Sequence, residues 1–394
     1  MSIKLFYQDA YIKTFTSKIL KQEQDKDGNW YSVLEETAFY PVGGGQPSDK
    51  GFLHNTEVIA VEEIDGEIRH YTSEPVSEGE TKVEGVIDWK LRFDHMQQHA
   101  GQHILSAAFE ELFQYKTVSF HLGKEHSTID LDIGDLSKED ADAAEKLAND
   151  IILENRKIET TWMTAEEANR YPLRKELAVS DNVRLVIIPE FDYNGCGGTH
   201  PRSTGEVSSI TILGWERQRK KIRVTFVCGN RVRKQLHEKQ TILSNLTEYL
   251  NAPEKEMKNA VERLLEKEKE TDKALEEAKE QLLSYEAKEL AEVASEQIIS
   301  KVFKNRPITE LQKLARYIVK ENARCVVVLV AENTDKTQLV AARGEAEEVN
   351  MRNMMNDVLP LINGKGGGKE SFVQGGGEPS ISGEELLQEF LKRL

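Results

Sequence analysis

The chain has 394 residues, 39% of them hydrophobic and 30% charged, with a formal net charge of −16. That length implies more than one core, and the acidic balance excludes a protein that coats nucleic acid by bulk charge. No apolar run approaches the ~20 residues of a membrane span, and the N-terminus lacks the long apolar region of a signal peptide, so a cytoplasmic protein without a membrane partner is expected.

The first ninety residues read as mostly strand. In "VIAVEEIDGEIRHYT" two short alternating runs flank Asp65-Gly66, a good hairpin signal. Upstream, "ETAFYPVGGGQPSDKG" sets Gly43, Gly44 and Gly45 before Gln46. Three glycines in a row mark either a plain turn or a loop whose backbone approaches something closely. From about Leu91 the period becomes helical, with Met96, Ile104, Leu105, Ala108 and Leu112 at mainly three- and four-residue steps. "TVSFHLGKEHSTIDLDIG" is strand-like through Ile129, Leu131 and Ile133. Ser137, three residues before Asp140, then opens an amphipathic helix with a capping-box pattern. "VRLVIIPEF" reads as a buried strand leading into the turn-rich "DYNGCGGTHPRSTGEV", and "KKIRVTFVCG" closes the region near Gly229.

From Gly214 to Lys234 there are eight basic residues and one acidic residue, which suits a phosphate backbone or simply a solvated face. Asn230 to Leu250 is helical, and "NAPEKEM" stops and restarts it, with Asn251 as a cap and Pro253 in a new first turn. From Met257 a heptad-like stripe runs through Val261, Leu264, Leu275, Leu282 and Tyr285, interrupted by Glu268 and Thr271. Such a seam pairs with the preceding helix or with a second copy as a homodimer. In the last segment, from about Ile308, "CVVVLVAEN" and "QLVAAR" are strands and "MRNMMNDVLPLI" is a helix. "NGKGGGKESFVQGGGEP" reads as a flexible glycine-rich loop whose Lys365 and Lys369 suit phosphate contact, though it is neither a P-loop nor a dinucleotide fingerprint. The expected organisation is α+β, divided at residues 1–90, 91–235, 236–300 and 301–394.

One short stretch carries chemistry. In "HMQQHAGQH" the side chains of His95, His99 and His103 share a helical stripe, so two overlapping pairs can each face a metal and spacing does not separate them. "GCGGTH" offers the other half of a site, Cys196 and His200, on a tight turn after a strand. A histidine pair plus Cys-x3-His makes the nitrogen and sulfur set that zinc prefers. Cys228 and Cys325 have no neighbouring His or Cys and read as core, and three widely spaced cysteines imply no disulfide framework.

The segments "TAFYPVGGGQPSDKG", "MQQHAGQHILSAAF" and "CGGTHPRSTGEV", in that order, resemble the editing domain of alanyl-tRNA synthetase and its long free-standing relatives, the AlaX-type editing proteins. The tail "GGGKESFVQGGGEP" is similar to the glycine-rich end of the synthetase's C-terminal, DHHA1-type domain. Together these cover most of the chain. One departure is Ala100, where the family usually has Thr; it lies between the ligands and is not one of them. The resemblance implies hydrolysis of the ester bond of tRNA(Ala) wrongly charged with serine or glycine. It implies one Zn2+ on His99, His103, Cys196 and His200, leaving His95 as an extra. It also implies a small β-barrel-like subdomain before an α/β zinc-containing editing core, then a helical or coiled-coil connector and a C-terminal tRNA-binding domain that uses Lys365 and Lys369.

On the same resemblance, Gly43, Gly44, Gly45 and Gln46 form a wall of the amino-acid pocket, and Thr37 is the candidate for sensing the serine hydroxyl, since a buried polar partner rejects a side chain lacking that group. The chain begins at the editing module, so action in trans without ATP is expected. Two alternatives stand beside this reading. One is a non-catalytic tRNA- or RNA-binding protein with a structural zinc. The other, prompted by "DHM" at Asp94-His95 and by the tail, is a manganese phosphoesterase, which needs aspartate clusters that the sequence does not show.

Overall fold

The computed structural model describes residues 2–76, 82–177, 182–293 and 297–394. One compact unit spans Met1–Asn245 and a second spans Leu246–Leu394.

The first unit opens with β1 (Ile3–Lys4) and a single helical turn, α1 (Leu5–Gln8). There follow β2 (Thr14–Gln24), β3 (Trp30–Leu34), β4 (Glu36–Thr37), β5 (Gly51–Leu53), β6 (Thr56–Ile64), β7 (Glu67–Thr72) and β8 (Lys82–Ile87). β1 pairs with β4 in parallel, and six strands close into a barrel in the order β2-β3-β7-β6-β5-β8. Alternation drives the closure: in β7, Ile68, His70 and Thr72 are buried while the residues between them are only partly so. Asp65 and Gly66 both adopt left-handed conformations, φ 52° and 80°, in the two-residue turn that joins β6 to β7.

α2 (Trp89–Phe113) leaves the barrel at Asp88, whose side chain accepts a hydrogen bond from the Leu91 amide at 3.1 Å. After it come β9 (Thr117–Leu122), β10 (Ser127–Leu131), α3 (Lys138–Leu153), β11 (Glu159–Met163), α4 (Ala165–Ala168), β12 (Val183–Ile188), β13 (Asp192–Gly195), β14 (Ile210–Gln218) and β15 (Lys221–Cys228). They form two sheets, β14-β15-β10-β9 and β11-β12-β13. Ile104, Leu105 and Phe109 of α2 join Ala144, Ala148 and Ile151 of α3 and Ile129, Leu131, Val224 and Phe226 of the larger sheet in one core.

Several expectations change in this region. The strand-like run from Thr117 is two antiparallel strands, turned where the Gly123 amide donates to the His126 carbonyl at 3.1 Å, and Ile133 lies beyond both. Leu112, on the expected apolar stripe, is exposed near the end of α2. Ser137 caps α3 by accepting from the Asp140 amide at 3.0 Å, but the Asp140 carboxylate accepts from the Tyr115 hydroxyl at 3.0 Å instead of reaching back to the cap.

α5 (Asn230–Leu250) carries the chain into the second unit, which contains α6 (Met257–Val293), β16 (Ile298–Lys304), α7 (Ile308–Glu321), β17 (Val326–Glu332), β18 (Thr337–Arg343), α8 (Met351–Val358), β19 (Lys365–Lys369), β20 (Phe372–Gly377) and α9 (Gly383–Leu391). Its sheet runs β16-β17-β18-β20-β19. β16 is parallel to β17, with α7 as the crossover; this first strand, at Ile298, precedes the segment anticipated from about Ile308. Asn251 takes φ 45°, the left-handed conformation that ends a helix, and Pro253 precedes a short 3-10 turn that leads into α6. Asn251 therefore closes α5 instead of opening the next helix. Val261, Leu264, Leu275, Leu282 and Tyr285 of the heptad stripe are exposed in the single chain.

The glycine-rich tail is not a flexible loop. Residues 365–377 form the hairpin β19–β20, with Gly366 opposite Gly375 and Gly368 opposite Val373. A Cβ on Gly366 would stand 2.5 Å from the Gln374 carbonyl oxygen, so the glycines permit close backbone approach. Among the described residues, no helix is long and apolar enough to cross a membrane.

Candidate metal centre and its cavity

The middle of α2 is polar yet buried, which is costly unless each group finds a partner. Gln98 brackets the backbone of Cys228 in β15: its Nε2 donates to the Cys228 carbonyl and its Oε1 accepts from the Cys228 amide, both at 2.9 Å. Gln97 Nε2 donates to the Glu206 carbonyl at 2.9 Å. Gly101 faces the same strand, and a Cβ there would lie 2.1 Å from Cys228 Sγ. At the barrel end, Arg92 and Asp49 are both fully buried; Arg92 Nε meets the two carboxylate oxygens at 2.8 and 2.9 Å, and its Nη1 donates to the Ala10 carbonyl at 2.8 Å. This pair fixes the helix to the loop that carries the glycine turn, because Asp49 also accepts from the Tyr40 amide at 2.6 Å.

With the helix clamped on both sides, His99 and His103 face the turn that bears Cys196 and His200, and the ligand atoms of all four lie within 4.8 Å of one another. Cys196 Sγ is 3.4 Å from Nε2 of both His99 and His200. Zinc bond lengths and tetrahedral angles place nitrogen and sulfur ligands about 3.5 Å apart, so these edges fit.

The tautomers follow from the outer contacts. Gln46 Oε1 accepts from the Thr199 amide at 3.0 Å, so it is the oxygen that faces His99 Nδ1, also at 3.0 Å, and Nδ1 carries the proton. His103 Nδ1 donates to Asp192 Oδ2 at 2.9 Å, and Asp192 Oδ1 accepts from Arg174 Nε at 2.8 Å. Both imidazoles thus turn Nε2 lone pairs inward, the arrangement that supports a metal ligand. Burial opposes charge on Cys196, but the surrounding His99, His200 and His103 outweigh it and hold the thiol well below its ordinary range. Burial likewise opposes the Asp192 carboxylate, and Arg174 and His103 bring it down to about 2.

The turn needs its glycine at 198. A Cβ there would stand 2.2 Å from His99 Cε1 and 2.3 Å from Nδ1. Arg184, in β12, holds the turn by donating from Nη1 to the carbonyls of Cys196 and Gly198, both at 2.8 Å.

A cavity of about 450 Å3 opens beside this group, lined by His99, His103, Cys196, Gly44, Phe120 and Trp162 among others. Gly43 and Gln46 pair across the glycine turn, Gly44 reaches the cavity, and Gly45 packs on Phe120, whose ring stacks on His99 with centroids 5.6 Å apart. Gln46 sits behind His99, fully buried. Thr37 is also fully buried and is not among the cavity's lining residues. His70 Nδ1 donates to the Ser32 carbonyl at 3.0 Å, which leaves Nε2 to accept the Thr37 hydroxyl at 2.8 Å, so that proton is already committed. His95 is buried with Nδ1 unpartnered among the described residues; burial pushes its pKa down, and it stands outside the metal group. Lys365 and Lys369 are exposed on β19 in the second unit.

Sequence reasoning did not find Asp192, Arg174, Arg184, Phe120 or Trp162. Arg184 had a signal, since an arginine inside the otherwise apolar "VRLVII" must have a partner for its charge.

Two family profiles match the chain: the second additional domain of threonyl and alanyl tRNA synthetases over residues 183–225, and the DHHA1 domain over residues 295–394. The alanyl-tRNA editing protein AlaX-L of Pyrococcus horikoshii is 30% identical over 99% of this chain and 98% of its own length. The alanine–tRNA ligase of Pyrococcus abyssi is 30% identical over 99% of this chain but only 43% of its own. The alanyl-tRNA editing protein Aarsd1 of Bos taurus is 32% identical over 62% of this chain and 58% of its own. With 30% identity and near-complete coverage in both directions, the chain belongs to the AlaX-L family of alanyl-tRNA editing proteins.

Proposed function

We propose that the protein hydrolyses the ester joining a wrong amino acid, serine or glycine, to tRNA(Ala), acting in trans in the cytoplasm. The observation that carries this reading is the convergence of His99, His103, Cys196 and His200, three of which line a cavity that Gly44 of the glycine turn also lines. In this reading these four residues hold one Zn2+. Bound there, zinc supplies Lewis acidity to the ester site.

The chain's own residues do the rest. Ester hydrolysis adds water to the acyl carbon and expels the ribose oxygen, so the site must place the carbonyl and restrain water. Gln46 acts as a positioning residue, fixing the His99 ring through Nδ1, and Asp192 does the same for His103. Thr37 belongs to the support of the barrel wall through His70. Gly44 offers backbone without side-chain bulk, leaving room for a small amino acid. Lys365 and Lys369 engage the tRNA away from its acceptor end, the exposed stripe of α6 pairs two copies of the chain, and no ATP is used. Residues 1–90, 91–235, 236–300 and 301–394 then serve as barrel, editing core, connector and tRNA-binding domain.

Incubation of the purified protein with seryl-, glycyl- and alanyl-tRNA(Ala), with metal content measured alongside, tests the reading. Release of serine or glycine faster than alanine is expected, and failure to hydrolyse any of the three overturns it. Four protein ligands make the closed set usual for structural zinc. That favours one competitor, an RNA-binding protein with a structural metal, which predicts a zinc-loaded protein that binds tRNA without cleaving the ester.

A further inference from the structure

Trp162 is an anomaly at this site: a large indole, 52% exposed, on the rim of a cavity meant for serine or glycine. Neither amino acid has apolar surface to cover it, and about 450 Å3 is far more room than either needs. The exposed part of the indole offers a surface to something planar that enters with the amino acid.

The strand register shows where it would lie. β11 is the edge strand of β11-β12-β13, and Trp162 stands directly opposite Arg184. On the far side of β12, the Cys196 amide donates to the Arg184 carbonyl at 3.0 Å. Trp162, Arg184 and Cys196 therefore form a row across β11, β12 and the residue that follows β13, and all three line the cavity. Neighbouring strands are about 4.8 Å apart, which sets the Trp162 backbone roughly 10 Å from that of Cys196. That span is comparable with the reach from an adenine ring, across its ribose, to an acyl group on the 3′ oxygen. Tyr7 meets the indole edge-on, with centroids 5.3 Å apart and planes at 80°, and Arg184 lies over the Tyr7 ring at 5.0 Å. The indole is thus braced by an edge contact while half its surface remains free to stack.

We propose that Trp162 is the platform on which the 3′-terminal adenosine of the aminoacyl-tRNA stacks, setting the distance at which the ester meets the metal-ligand group. This rests on the editing function proposed above. Trp162 is a positioning residue, since it touches the nucleoside and not the reacting carbonyl. Stacking on an aromatic face is tolerant of base identity but stronger for a purine's larger surface.

The full-length protein tests this in two ways. In hydrolysis of seryl-tRNA(Ala), Trp162→Ala should raise KM about tenfold, the loss expected for a base deprived of its platform, while kcat falls by no more than about twofold. Trp162→Phe, which keeps an aromatic face, should stay within about threefold of the parent in KM. Separately, calorimetric titration with a 3′-serylamino-3′-deoxyadenosine, which cannot be hydrolysed, should show tighter binding than its cytidine counterpart, and Trp162→Ala should weaken the adenosine compound about tenfold. A KM for Trp162→Ala within about threefold of the parent, a kcat loss as large as the KM rise, or unchanged binding of the amide overturns the proposal. Those results would leave an indole that merely guards a sheet edge. If the parent hydrolyses no aminoacyl-tRNA, the editing reading fails, and the titration still decides whether Trp162 carries a base.

Discussion

Gly198→Ala is a one-carbon change aimed at the metal-ligand group without touching a ligand. The new methyl carbon would start 2.2 Å from His99 Cε1 and 2.3 Å from Nδ1. Carbon contacts settle at about 3.5–4.0 Å, so ring or turn must yield by roughly 1.5 Å. The turn is pinned, because Arg184 holds the carbonyls of Cys196 and Gly198 at 2.8 Å. The ring is restrained by Gln46 at 3.0 Å and by Phe120 stacked at 5.6 Å, so the displacement is passed to Nε2, which now stands 3.4 Å from Cys196 Sγ. Disturbing the support of a metal ligand costs about 10- to 100-fold in affinity, and overpacking costs about 1–3 kcal/mol in stability. We expect Gly198→Ala to bind zinc more weakly by that factor in competition with a chromophoric chelator, and to unfold in less urea when metal-free. A folded variant with the parent's zinc affinity would refute the reasoning, whatever its stability.

Gly101→Ala should lose about 1–3 kcal/mol in urea unfolding, and combining it with Cys228→Ala should recover part of that loss, since the clash is with Sγ; strictly additive losses would count against it. Arg92→Leu strands a buried carboxylate at Asp49 and should destabilise by about 3–5 kcal/mol, against less than about 1 kcal/mol if the pair contributes nothing. Burial depresses the His70 pKa from 6.5 to about 4, although its bond to Ser32 pulls the other way. The unfolded chain therefore takes up a proton first as pH falls; this group's contribution is complete above 6.5, is lost progressively towards 4, and amounts to about 3 kcal/mol. Urea midpoints for His70→Gln should fall less across that window than the parent's, and parallel curves would exclude the effect.

What the sequence made legible was local. The four-residue steps along the histidine helix, and from Cys196 to His200, are properties of one helix and one turn and could be read from spacing, though choosing His99 and His103 over His95 and His99 took the family resemblance. The Asp65-Gly66 hairpin was readable for the same reason. The supports were not: Asp192 reaches His103 across 89 positions, and Gln46 reaches Thr199 across 153, so no local pattern announces them. The tail misled because a glycine run has two physical meanings, freedom and close approach, and only the cross-strand contacts of Gly366 and its neighbours choose the second. Thr37 illustrates a further limit, since a hydroxyl's availability depends on which tautomer its neighbour adopts, and His70 is fixed by a carbonyl on another strand.

The separation between the two halves of the metal group also has a consequence in time. His99 precedes Cys196 by 97 positions. At about 5–20 residues per second, a ribosome needs roughly 5–20 s to pass from one to the other. Throughout that interval the nascent chain owns at most two of the four proposed ligands, His99 and His103, and no thiolate, too few donors for a tight tetrahedral site. Even the helix lacks its clamp, because Cys228, which Gln98 brackets, is made later still. The proposed zinc is therefore acquired as one of the last acts of making this unit, and a ribosome stalled before the turn that bears Cys196 and His200 would release a chain that cannot keep it.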